Sequence, residues 1–279
     1  MTKILVVANE TIGGRSLIEK VQERAGQDVR YWVVVPRARP RRGNVVYDEA
    51  VRDMAQVRVD LMLAFMRDNG IKGGGEVGDP DPFLAATDAV AAEGIDQIIV
   101  STLPAETSGW MKRDLPERLR ETTGLPVEHV ISDVVGEGLP FDVTLVAANV
   151  TVASEELHAR LKQLAEESPH RFIVVVPQNS GDGRAVAAAR ERLRALLESL
   201  EADGLVAAGM IGDPDPFTAV MNAVGYFYIS EIVISTLPEY RSRWLEGGLV
   251  DRIKRQSGKP VQHVESSEEP VREGQEVGR

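Results

Sequence analysis

Four carboxylates in two identical settings offer the chain its first chemistry. Gly78-Asp79-Pro80-Asp81-Pro82-Phe83 recurs as Gly212-Asp213-Pro214-Asp215-Pro216-Phe217. Asp79 with Asp81, and Asp213 with Asp215, could hold Mg²⁺ or a ribose, since hard cations and hydroxyls both seek carboxylate oxygens. The same letters also spell a Gly-Pro turn closed by an Asp helix cap, with proline at the first helical position. Composition does not choose between these readings.

Hydroxyls come next. Ser101-Thr102 and Ser235-Thr236 end two β-branched runs, where they could donate to a ligand or cap the following turn. Ser108-x-Trp110 and Ser242-x-Trp244 repeat at matching places, each offering an aromatic face for a base or an anchor between helix and sheet. His129 and His263 sit among valines, and neither has a second histidine or a cysteine at metal-ligand spacing, so packing or hydrogen bonding is expected of them. Arg37, Arg39, Arg41 and Arg42 form a basic run that could meet phosphates or face the acidic remainder of the chain. Its second-half counterpart is absent.

The elements that must position these residues come as a duplication. An offset of 134 holds without a gap from Gly75/Gly209 to Val130/Val264, where 25 of 56 positions are identical. Two copies at so long a period argue for two complete domains rather than a solenoid. Within the first half, Lys3 to Ala8, Val29 to Val35, Ile71 to Val77, Gln97 to Val100 and Pro126 to Ile131 read as strands. Helical spacing separates them: Leu17, Val21 and Ala25; then Val51, Met54, Leu61, Met62 and Phe65; then Phe83, Ala86 and Val90; then Trp110 to Thr122. Alternation of this kind predicts an α/β fold with parallel strands covered by helices on both faces. The expected domains are 1–132 and 141–265, with a linker at 133–140 and a disordered tail at 266–279.

With 279 residues, each half can bury its own core. No cysteine is present, which removes disulfides and thiolate chemistry and fits a reducing cytoplasm. A net charge of -11 disfavours broad nucleic-acid binding, and no apolar stretch is long enough for a membrane helix. No Walker loop, zinc pattern, Ser-His-Asp order or strand-one GxGxxG is found. A cytoplasmic protein is therefore expected.

Five strands per half, Asn9 and Asn149 after the first strand, Gly-x-Pro after the third and Gly-x-Pro-Val at the fifth make each half resemble a universal stress protein domain. The resemblance covers nearly the whole chain. It implies two tandem doubly wound, Rossmann-like five-stranded domains of order 3-2-1-4-5. It further implies a nucleotide cleft at the ends of strands one and four, and pairing of the two domains through strand five as an intramolecular pseudo-dimer, with a homodimer left open. ATP-binding members carry an aspartate after strand one and Gly-x2-Gly-x9-Gly-Ser/Thr after strand four. Here those places hold Ser101, Pro104, Asp114 and Leu115, or Ser235, Pro238, Gly248 and Leu249. Proline has no N–H to give a phosphate, and Asp114 sets a like charge beside one. Asn9 and Asn149 can still donate to and accept from an adenine or ribose.

The resemblance and the residues together predict a non-enzymatic tandem stress-response or regulatory protein. Its ATP or other adenine-type ligand, with or without Mg²⁺, would touch Asn9, Gly78, Asp79, Ser101 and Thr102 in one half, and Asn149, Gly212, Asp213, Ser235, Thr236 and Gly248 in the other. A nucleotide-independent scaffold and a Mg²⁺-dependent nucleotide-processing enzyme using the GDPDP carboxylates are the alternatives.

Overall fold

The computed structural model describes residues 1–37, 48–111, 114–178, 183–238, 244 and 247–266, with backbone alone at 48–50. Arg39, Arg41, Arg42, Ser242 and the tail positions 267–279 lie outside the described residues. The chain forms two compact units that divide between Phe141 and Asp142.

In the first unit the apolar runs form β1 (Thr2–Val7), β2 (Val29–Pro36), β3 (Gly73–Gly78), β4 (Gln97–Thr102) and β5 (Val127–Ile131). Between them lie α1 (Arg15–Gln22), α2 (Asp48–Asp68), α3 (Pro82–Glu93) and α4 (Leu115–Thr123). All strand pairs are parallel, in the order β3-β2-β1-β4-β5. The period-two alternation of β1 sends Ile4 and Val6 into one core and Leu5 and Val7 into another on the opposite face. A sheet buried on both faces needs such unbroken apolar strands.

The second unit repeats this with β6 (Asp142–Ala147), α5 (Glu155–Glu167), β7 (His170–Pro177), α6 (Gly183–Ala202) and β8 (Ala207–Gly212). It closes with α7 (Pro216–Tyr226), β9 (Glu231–Thr236), α8 (Leu249–Ser257) and β10 (Val261–Glu265). Its sheet is again parallel, in the order β10-β9-β6-β7-β8. The expected fold class is therefore the observed one in both units. Among the described residues, no helix is long and apolar enough to cross a membrane.

Several local expectations differ. The fourth helix begins at Leu115 rather than Trp110, because Asp114 adopts a left-handed conformation at φ 49° that breaks the helical path. Trp110 stays in the preceding turn and packs against the core. In α3 the buried stripe is Pro82, Ala85, Ala86 and Ala89, while Phe83 and Val90 pack at its margin. The buried face of α2 includes Ala55, Val59 and Met66, with Leu61 half-buried. Val134, inside the stretch read as a linker, is buried, and Phe141 packs on the core of the first unit.

Candidate functional site

Parallel order places the carboxyl ends of β1 and β4 side by side, the usual position of a ligand crevice in an open α/β sheet. Asn9 follows β1 there, while Ser101 and Thr102 end β4. Asp79 follows β3, three strands from β4, so about 14 Å of sheet separates them at roughly 4.8 Å per strand. The predicted site residues thus share one end of the sheet without forming one cluster.

Asn9 is 8% exposed, and its amide is engaged on both sides. Nδ2 donates to the Pro36 carbonyl at 3.0 Å, and Oδ1 accepts from the guanidinium of Arg58. Arg58 reaches it from α2 and is itself buried, at 5% exposure. This arginine was not among the candidates, although a signal existed. It interrupts the apolar run of α2, and Arg192 stands 134 positions later in α6, at the offset of the duplication.

The hydroxyls of β4 are likewise turned inward. Ser101 Oγ lies 3.4 Å from Ser132 Oγ, and the Ser101 carbonyl accepts from Thr11 Oγ1 at 3.2 Å. Thr102 Oγ1 sits 2.8 Å from His129 Nε2. Burial holds the His129 imidazole below its ordinary pKa, since a charged ring loses hydration there. In the second unit Ser235 Oγ donates to Thr151 Oγ1 at 2.8 Å, and Thr236 Oγ1 sits 2.8 Å from His263 Nε2. Thr236 donates its own proton to the Leu237 carbonyl, so the imidazole N–H of His263 must be on Nε2. All four hydroxyl residues are nearly inaccessible.

The GDPDPF turns have local duties. Asp79 Oδ1 accepts from the Asp81 amide at 2.8 Å, and Asp81 caps α3 by accepting from the Phe83 amide at 2.9 Å. Asp213 and Asp215 repeat this, the latter accepting from both the amide and the hydroxyl of Thr218. Gly78 is there for clearance: a Cβ would stand 2.6 Å from Ala85 Cβ and 2.7 Å from Val34 Cγ2. Gly212 meets Ala219 and Val175 at the same distances. Phe83 and Phe217 carry the guanidinium groups of Arg118 and Arg252, each 4.3 Å above the ring, which ties the helix after the turn to the next one. Among the described residues, no group of three or more histidines and carboxylates is placed to hold a metal ion.

A triphosphate needs backbone N–H groups after β4, and among the described residues of the first unit the amides of Thr107, Ser108, Asp114 and Leu115 are already engaged. Pro104 has none, and the amides of Thr107 and Ser108 both donate to the Pro104 carbonyl at 2.9 Å. Asp114 occupies the left-handed position before α4 with a negative charge. These residues do not fit a phosphate cradle. At the matching place in the second unit, Gly248 is left-handed at φ 61° with open space around it, and Asn149 is half-buried.

No family model matches the chain, and no curated protein matches it. Solved structures do. A universal stress protein from Archaeoglobus fulgidus DSM 4304 is 15% identical, covering 94% of this chain and 96% of that one, with a TM-score of 0.35. The cytoplasmic domain of a prokaryotic cation chloride cotransporter is 9% identical over 96% of this chain and 97% of its own, with a TM-score of 0.29.

Proposed function

We propose that the chain is a non-enzymatic tandem protein of the universal stress protein type, acting in regulation or stress response through interaction rather than turnover. In this reading the first cleft is a structural joint instead of a nucleotide site. The observation that carries it is the Asn9 amide, both sides of which are used by Arg58 and Pro36. An adenine or ribose would have to displace a buried guanidinium contact before making its own. The GDPDP carboxylates, being engaged in turn and cap bonds, give the Mg²⁺-dependent enzyme reading no further support.

A second reading has one observation in its favour. Gly248, open and left-handed ahead of α8, leaves room for an adenine-type ligand in the second unit alone, with Asn149 as its amide partner. Melting temperature with millimolar ATP, ADP and AMP, each with and without Mg²⁺, separates the readings. A ligand present at 100 times its dissociation constant stabilises the native state by about 2.7 kcal/mol, so micromolar binding is visible. The interaction reading expects no shift. A shift lost in Asn149→Leu and kept in Asn9→Leu would establish the second reading, and one lost in Asn9→Leu would overturn the first.

A further inference from the structure

The duplication also exposes a difference away from the sheet ends. Between α5 and α6 the second unit has a cleft of about 400 Å³, within the range of roughly 300–1,000 Å³ usual for small-molecule pockets. Val152, Ala159, Ala195 and Leu196 give it an apolar lining. At the matching offsets of the repeat the first unit has Phe65 where the second has Ser199, Leu61 where it has Ala195, and Ile18 where it has His158. Phe65 and Ile18 are part of the first unit's core. The cleft therefore arises where large side chains have given way to small or polar ones.

Its polar groups have changed as well. In the first unit Gln22 Nε2 donates to Asn69 Oδ1 at 3.1 Å, an uncharged pair. In the second the same places hold Lys162 and Asp203, 2.9 Å apart, and Asp203 also holds His158 Nδ1 at 3.3 Å. The Lys162 ammonium, then His158, keep the Asp203 carboxyl below its ordinary pKa, so it accepts and Nδ1 carries the proton. With the Nδ1 proton held by Asp203, the neutral form of the ring presents Nε2 as an acceptor, the usual consequence of a carboxylate behind an imidazole. Lys162 and Asp203 cancel in charge, and Glu155, which also lines the cleft, disfavours an anion.

We infer that this cleft is a binding site for a small uncharged organic molecule with an apolar body and one hydrogen-bond donor, such as a phenol or an N–H heterocycle, read by His158 Nε2. Nothing in it depends on the nucleotide question, because α5, α6 and the Val152–Ala153 turn line it while Asn149, Ser235, Thr236 and Gly248 do not.

Saturation-transfer NMR on the full chain near neutral pH tests it with two probes, p-cresol and 4-methylanisole. They have the same apolar body, and only p-cresol has a donor. p-Cresol should bind, and more tightly than 4-methylanisole by several-fold to about tenfold, the worth of one hydrogen bond. His158→Leu should erase that preference. Ser199→Phe and Ala195→Leu, which install the first unit's own residues, should abolish binding of both probes while the melting transition persists. If Ser199→Phe fails to fold, Ala195→Leu decides the point alone. No transfer from either probe, equal binding of the two, or unchanged binding in the filled variants would overturn the inference.

Discussion

The guanidinium of Arg58 donates to the amide oxygen of Asn9, joining the middle of α2 to the carboxyl end of β1 beneath the surface of the first unit. A side chain at the carboxyl end of β1 is thereby committed to the fold. Such a contact is asymmetric in its energetics, because removing one partner leaves the other buried without its bond.

Arg58→Met should therefore lower stability by about 2–3 kcal/mol, the cost typical of breaking a buried charged hydrogen bond. Asn9→Leu should cost less than that on its own. In the double variant the losses should fall short of their sum, since the residues share one interaction. Urea unfolding of the four proteins measures the coupling, and strict additivity would deny it.

Gly78→Ala places a methyl 2.6 Å from Ala85 Cβ. Overpacking of this kind costs about 1–3 kcal/mol. Adding Ala85→Gly should recover part of the loss by opening the facing position, and Gly212→Ala with Ala219→Gly should behave alike. A Gly78→Ala protein as stable as the parent would mean that α3 moves freely over β2 and β3.

Asp81→Ala and Asp215→Ala each remove a side-chain cap from a helix that starts with proline. Each should cost about 1 kcal/mol. The effect should be the same with and without Mg²⁺ in a thermal melt, because these carboxylates are serving backbone amides. A destabilisation that appears only in Mg²⁺ would point instead to a cation at the turn.

Asp114 pays for its left-handed backbone while Gly248, at the same point of the repeat, does not. Asp114→Gly should raise stability by about 0.5–1 kcal/mol, and Gly248→Asp should lower it. Denaturation midpoints give both signs in one experiment.

His129 supplies a pH dependence whose direction follows from its depressed pKa. The folded state resists protonation, so its advantage is complete above the ordinary histidine value near 6.5 and is lost as pH falls through that value to the lower folded one. Stability should therefore decline on acidification through that window, and His129→Gln should flatten that part of the decline. A variant with an unchanged slope from neutral to mildly acidic pH would assign the dependence to other groups.

Much of this fold was legible in advance, for reasons that lie in particular residues. Runs such as Ile4 to Val7 and Ile98 to Val100 are apolar on both faces, a pattern that suits the buried strands of a doubly covered sheet. The Asp81 and Asp215 caps followed from their place before proline. Harder to read was the duty of Arg58, because a lone arginine on a long helix usually lies in water and its contact with Asn9 spans 49 residues. The start of α4 depended on the conformation of Asp114, which no apolar spacing reports. Nor could the cleft beside His158 be foreseen from the second half alone, since it is defined by side chains that only the first half retains.

The close approach of Gly78 to Ala85, and of Gly212 to Ala219, bears on how the halves diverged. Neither member of such a pair can grow unless the other shrinks, so the two are inherited as a unit and drift is arrested there. A turn fixed in this way preserves its spelling through duplication for want of room, whatever ligands are gained or lost around it. The matching glycines are then a record of clearance, as the aspartates are of turn and cap bonds, and the chain's changes of employment are better sought where the halves disagree.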